Sequence, residues 1–154
     1  MKKAIITGAS RGIGRSIALS ISDLGYDFFL TGRDLEALEQ TKELVLKSFV
    51  SSDGIKPKII LHVEDLRRPD AADNIFSAFN DHFERLDLLV NNAGIVNAKA
   101  LGGYTAADWE DVMNVNARNP FFLMQKSITL LERASPGYIV NICSIAALPA
   151  GKAF

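Results

Sequence analysis

The 154-residue sequence has a single cysteine, Cys143, so it can form no internal disulfide, and a lone thiol fits a reducing compartment such as the cytoplasm. It has no apolar run near the roughly 18 residues of a membrane span. The apolar stretch after Lys2 and Lys3 ends after Ile6, too short for a signal-peptide core. Neither sign of charge is in excess. The 17 Lys and Arg stand against 18 Asp and Glu, so no global field recruits nucleic acid or an anionic membrane, and any anion must be held by a local site. The two histidines, His62 and His82, have no partners at metal-ligand spacing, which predicts no metal site. Repeats, low-complexity tracts and linkers are also lacking. What is present is a chain 48% hydrophobic and 23% charged, outside the range of disordered sequences. Its length suits one domain over residues 1–154, able to bury roughly 70% of its unfolded surface.

Short β-branched runs alternate with longer segments of helical period, the pattern of a doubly wound α/β domain with a parallel sheet. Strands are predicted at Lys3–Thr7, Asp27–Thr31, Lys58–Val63, Leu86–Val90 and Tyr138–Cys143. Most are continuously apolar, as strands covered on both faces should be. Four helical stripes lie between them. The first is Ile13, Ile17, Ile21 and Leu24, and the second Leu35, Leu38, Val45 and Phe49. The third is Ala72, Ile75, Phe76, Phe79 and Phe83, and the fourth Phe121, Met124, Ile128 and Leu131. Ser51-Ser52-Asp53-Gly54 breaks the second helix from the third strand, and Pro69 suits the first turn of the third helix. Thr105 with Asp108, ahead of Trp109 and Met113, reads as the start of a further short helix.

The residues with most to say about chemistry are Thr7 to Gly14, Thr-Gly-Ala-Ser-Arg-Gly-Ile-Gly. A strand that ends in a glycine-rich turn and passes at once into a helix sets bare amides, and the positive end of the helix dipole, against a pyrophosphate. Gly8 serves the tight turn, Gly12 the close approach of the phosphates and Gly14 the packing of helix on strand. Ser10, Arg11 and Ile13 complete the turn. This is a dinucleotide grip on a Rossmann-type frame.

The spacing Thr-Gly-x-x-x-Gly-x-Gly resembles that of the short-chain dehydrogenase/reductase family, and three further segments strengthen the likeness. Asn91-Asn92-Ala93-Gly94 follows the fourth strand, where the family carries that signature; Asp65-Leu66 closes the third, where it places an acid against adenine. Asn116 and Ser144 match the first two members of its Asn-Ser-Tyr-Lys catalytic set. The resemblance implies reversible hydride transfer between a nicotinamide and a small carbonyl or alcohol substrate. Ser144 would bind the substrate oxygen, and Asn116 would help position a water-linked proton relay. Asn91, Ala93 and Gly94 would stand at the cofactor.

The cofactor follows from the end of the second strand, where an acid would bind the free ribose hydroxyl of NAD(H) and repel a 2'-phosphate. The chain has Thr31-Gly32-Arg33 there, and Arg11 is a second cation within reach of the same phosphate. NADP(H) is therefore expected over NAD(H). The rest of the catalytic set is absent. Four residues after Tyr26, Tyr104 and Tyr138 stand Leu30, Asp108 and Ile142, and Lys152 is preceded at that spacing by Leu148. The resemblance thus implies the N-terminal portion of a longer enzyme that forms homo-oligomers, with about five of seven strands and little activity by itself. A non-catalytic NADP(H)-binding module, such as a redox sensor or inactive remnant, is the other reading. A methyltransferase of related fold is disfavoured by Thr7-Gly8 and Asn91–Gly94 together. In this reading Ile139, Val140 and Ile142 form a bare apolar edge, Phe121, Phe122 and Met124 lack a covering helix, and Cys143 is a buried structural thiol.

Overall fold

The computed structural model describes residues 1–49 and 55–144. In chain order the elements are β1 (Lys2–Thr7), α1 (Gly12–Ser20), β2 (Tyr26–Gly32), α2 (Leu35–Ser48), β3 (Ile59–Val63), α3 (Ala71–Asn80) and β4 (Leu88–Asn91). A helical run follows, made of α4 (Ala106–Met113), a π turn (Asn114–Arg118) and α5 (Asn119–Glu132), and β5 (Tyr138–Asn141) comes last. The proposed turn at Ser51–Gly54 and the tail with Leu148 and Lys152 lie outside the described residues. No helix among the described residues is long and apolar enough to cross a membrane.

All five strands pair in parallel, in the order β3-β2-β1-β4-β5. The order reverses between β1 and β4, and such a reversal opens a crevice at the carboxyl ends of the strands, where open α/β sheets take ligands. Side chains of a strand alternate between faces. Ile5, Phe29 and Leu89 therefore point into one core with Ile75 and Phe79 of α3 and Leu123 and Leu130 of α5. Ala4, Ile6, Phe28, Leu30 and Val90 point into the other, with Ala18 of α1 and Leu38 and Val45 of α2. The rings of Phe29 and Phe79 meet edge to face, 5.7 Å apart.

Local chemistry explains the element ends. Asp34 caps α2 by accepting the Ala37 N–H, and Thr105 and Asp108 form a reciprocal capping box at α4. Pro120 accounts for the π turn: a proline in a helix has no N–H for the carbonyl four residues back and its ring crowds that carbonyl, so a wider turn absorbs the misfit.

The expected stripes need correcting in phase. Ile13 and Leu24 are 60% and 56% exposed, and the buried residues of α1 are Gly14 and Ala18, because α1 lies so close to β1 that only small residues fit. In α2 Leu35 is exposed and Thr41 is buried with Leu38 and Val45. Phe121 and Ile128 of α5 face outward, and the contact face is Asn119, Leu123, Ser127, Leu130 and Leu131. A search for apolar residues passes over the two polar members. Pro69 stands just before the Asp70 cap of α3 rather than inside its first turn. All five strands begin or end a residue or two from the expected positions, and β5, at the edge of the sheet, is exposed throughout among the described residues, in line with the bare apolar edge expected there.

Candidate functional site

The glycine turn is held from behind by side chains. Thr7 ends β1, its hydroxyl accepting the N–H groups of Asn92 and Ala93 at 3.0 and 3.1 Å. The Asn92 amide donates to the carbonyls of Thr7 and Gly8 at 2.8 and 3.2 Å. The Thr41 hydroxyl of α2 donates to the Ala9 carbonyl at 2.9 Å, and the Arg15 guanidinium to the Ser10 carbonyl. Arg15 also bonds Thr41 itself and the Ala37 carbonyl. Four consecutive carbonyls, residues 7 to 10, are thus engaged. The first turn of α1 carries no acid, and Arg11 at its cap offers no side-chain bond to the leading amides. Those amides have no partner within a helix, so the turn presents donors and few acceptors, the character of an anion site.

The glycines divide as expected. Gly8 and Gly12 have φ of 65° and 57°, a region that L side chains rarely adopt. Open space lies where Gly12 would carry a Cβ, whereas one on Gly14 would stand 2.3 Å from the Gly8 carbonyl oxygen.

A cavity of about 220 Å³ opens at the turn. Of the expected residues it is lined by Gly8, Ser10, Arg11, Arg33, Asp65, Leu66, Ala93 and Gly94. Gly32, the neutral position at the end of the second strand, lines it too, as do Asn92 and four residues that the sequence reading had not assigned to the cofactor, Glu64, Arg67, Ile95 and Val115. Gly12, Ile13, Gly14, Asn91, Asn116 and Ser144 are not among the lining residues. Arg11 and Arg33, 22 positions apart in sequence, meet at one cavity because β1 and β2 end side by side. Asn91 belongs to the sheet instead: it is buried and its amide donates to Asn141 of β5 at 2.9 Å.

The Asp65 carboxylate is gripped by its neighbour. Both oxygens accept from the Arg67 side chain, and Oδ1 also accepts the Arg67 N–H at 3.0 Å. The Arg67 guanidinium holds the carboxyl below its ordinary range, with a smaller contribution from Arg33. The backbone here is pinned by two asparagines of the helical run. Asn119 donates to the carbonyls of Leu66 and Arg68 and accepts the Ala72 N–H; Asn114 donates to the Arg67 carbonyl. The signal for both was asparagine in helical sequence, where it is mildly unfavourable.

Asn116 lies in the π turn, its side chain tied both ways to Ile95: Oδ1 accepts the Ile95 N–H at 2.9 Å and Nδ2 donates to the Ile95 carbonyl at 2.8 Å. Pro120 supplies no N–H to the Asn116 carbonyl at α-helical spacing. Ser144 follows β5 and is exposed. Cys143, expected to be buried, is exposed too, since the strand ends at Asn141. No tyrosine stands at the cavity. Tyr26 and Tyr138 open their strands, at the far end of the sheet, and burial raises the Tyr26 pKa further, aided by Asp87. The Tyr104 hydroxyl is occupied with Asn97 and Lys99 in the loop before α4.

Comparison with known proteins places this geometry. A family model described as short chain dehydrogenase matches residues 2–154. The chain is 33% identical to gluconate 5-dehydrogenase of Gluconobacter oxydans over 143 residues, 93% of this chain and 53% of that protein. Among solved structures it resembles the NADP complex of Pseudomonas aeruginosa RhlG, with TM-score 0.83 and 32% identity over 99% of this chain and 58% of that one. It also resembles a metagenomic short-chain oxidoreductase in complex with NADP, with TM-score 0.83 and 31% identity over 97% of this chain and 65% of that one. The chain spans about half the length of the curated relatives it matches.

Proposed function

The chain belongs to the short-chain dehydrogenase/reductase family, and from that premise we propose that it is the cofactor-binding part of an NADP(H)-dependent oxidoreductase acting on a small carbonyl or alcohol substrate. When bound, the cofactor supplies the hydride or accepts it. The protein's own part begins at the glycine turn, whose amides, kept clear by Asn92, Thr41 and Arg15, bind the pyrophosphate. Arg11 and Arg33 take the adenosine 2'-phosphate. Ala93 and Gly94, lacking bulk, let the nicotinamide end approach β4, and the Asn116–Ile95 tie sets the loop beside it. Ser144 orients the substrate oxygen.

One observation carries the cofactor choice: the cavity holds two arginines at the β1 and β2 ends and Gly32 where an acid would select NAD(H). Charge-assisted hydrogen bonds are strong enough that losing one costs about tenfold in affinity or more. The test is Arg33→Asp. NADPH affinity is expected to fall at least tenfold while NADH affinity holds or rises; an unchanged ratio would refute the assignment. A second reading, a nucleotide-binding module without catalysis, draws support from the placement of Tyr26, Tyr104 and Tyr138 away from Asn116. Oxidation of NADPH by the complete polypeptide with a panel of carbonyl compounds separates the two, since a module binds NADPH but consumes none.

A further inference from the structure

We propose that Arg15 is a positioning residue for cofactor choice: its guanidinium ties together the two backbone segments that carry Arg11 and Arg33, and so holds both cations on one 2'-phosphate. The inference rests on the NADP(H)-binding reading above and adds to it the residue that makes the arginine pair act as a unit.

Three observations carry it. First, the guanidinium is used as a fork. Nε donates to the Thr41 hydroxyl at 2.9 Å, and Nη2 donates to the Ala37 carbonyl at 3.1 Å and to the Ser10 carbonyl, with a longer contact of 3.5 Å to the Gln40 side chain. Second, these partners adjoin the two arginines of the proposed phosphate site. Ser10 shares a peptide unit with Arg11, and because that unit is planar and trans, the Arg11 N–H points away from the carbonyl that Arg15 holds. Ala37 gives its own N–H to the Asp34 carboxylate at 3.1 Å, and Asp34 directly follows Arg33. The connection therefore runs unbroken from Arg11 through Ser10, Arg15, Ala37 and Asp34 to Arg33. Third, the partners of Arg15 are all neutral, and among the described residues it forms no ion pair. Nor does it line the cavity, as Arg11 and Arg33 do. Its donors are spent on backbone geometry, so it acts through its neighbours.

Positioning matters here because Arg11 and Arg33 stand at the ends of different strands, and their bonds add up only when both reach the same phosphate. Groups that act together in this way need supporting residues that hold them to within about 0.5 Å. Ser10 is close against the end of β2: a Cβ on Gly32 would stand 3.3 Å from its hydroxyl oxygen. Arg15 fixes that approach from the side of α2. The NADPH to NADH affinity ratio measures the convergence of the two cations, since adenine, the pyrophosphate and the nicotinamide are common to both ligands.

The test is equilibrium binding of NADPH and NADH to the full chain and its variants. Arg15→Met removes the fork but keeps an unbranched stem, and it is expected to lower the NADPH to NADH affinity ratio about tenfold, the equivalent of one charge-assisted hydrogen bond. In an Arg11→Ala background the same substitution is expected to leave the ratio unchanged, because one of the two cations it aligns is gone. Arg15→Lys keeps the charge without the fork and should also lower the ratio; it decides the question if the first variant does not fold. The proposal is overturned if Arg15→Met weakens both dinucleotides by the same factor, as a merely structural role would. It is overturned too if the ratio changes as much in the Arg11→Ala background, or if Arg15→Lys keeps the wild-type ratio, since either result assigns the effect to charge alone. A wild-type protein that binds neither dinucleotide overturns the nucleotide reading itself and this inference with it. A wild type that prefers NADPH while its Arg15 variants keep that preference overturns the inference alone.

Discussion

A methyl group on residue 14 has nowhere to go. The Cβ of Gly14→Ala would lie 2.3 Å from the Gly8 carbonyl oxygen and 2.5 Å from the Asn92 amide nitrogen, and it must retreat to at least 3.0 Å from each. The Gly8 oxygen belongs to a turn with φ of 65°, pinned by Asn92 and continuous with β1, so α1 has to move instead. Overpacking of this kind costs about 1 to 3 kcal/mol. Displacing Asn92 from the carbonyls of Thr7 and Gly8 removes bonds that contribute about 1 kcal/mol each. The total, about 3 to 5 kcal/mol, is a large share of the 5 to 15 kcal/mol typical of a domain. With a urea dependence of about 2 kcal/mol per molar, the unfolding midpoint should fall by about 1.5 to 2.5 M. Gly12→Ala is the control. It meets open space and bears only the left-handed φ, a cost of about 1 to 2 kcal/mol, so its midpoint should fall by less than 1 M. In the proposed function it should nonetheless lose NADP(H) affinity, because the added methyl stands where the phosphates pass. Urea unfolding followed by circular dichroism, with and without NADP(H), reads both quantities. Equal midpoints for Gly14→Ala and the wild type would refute the close approach of α1 to β1.

Thr41→Val keeps the shape of the buried side chain but strips the Ala9 carbonyl of its donor, an expected loss of about 1 to 2 kcal/mol; chemical denaturation measures it, and an unchanged stability would show that Arg15 alone holds the turn. Asn119→Leu removes the bonds to Leu66, Arg68 and Ala72 together and should cost about 3 kcal/mol or more, with amide exchange rising first at residues 66–72 rather than in α5. Asp108 is held well below the ordinary carboxylate range, by Lys99 foremost and then by Thr105 and Asn97. A lowered folded pKa means that its stabilisation is complete above the unfolded value near 3.8 and is lost only as pH falls below it. Protection of residues 97–105 should therefore persist from pH 7 to pH 4, whereas Asp108→Asn should raise their exchange at neutral pH; loss of protection between pH 6 and 5 in the wild type would contradict the assignment.

Much of the architecture was legible because it rests on patterns that the local chain cannot hide. A short, continuously apolar β-branched run is distinct from a longer segment with a period near 3.6, so the alternation of elements and the five parallel strands could be read directly. The phase of the helices was less legible. Apolarity marks a face only when contact needs bulk, and α1 touches β1 through Gly14 and Ala18 while α5 buries Asn119 and Ser127. Cys143 was misjudged for a related reason: burial depends on what lies over a residue, and β5 is exposed at every position.

Of the site, the sequence alone determined the glycine turn, its helix and the two cations, Arg11 and Arg33, since each belongs to a short contiguous motif whose chemistry is carried by local backbone geometry. Only the tertiary structure decided how that turn is held and what surrounds it. Asn92, Thr41 and Arg15 reach it from three separate elements, and Asn114 and Asn119 cross from the helical run to pin Arg67 in place. The reason is physical: a hydrogen bond between residues 32, 47 or 85 positions apart exists only once the sheet has brought its strand ends together, and no local propensity encodes it.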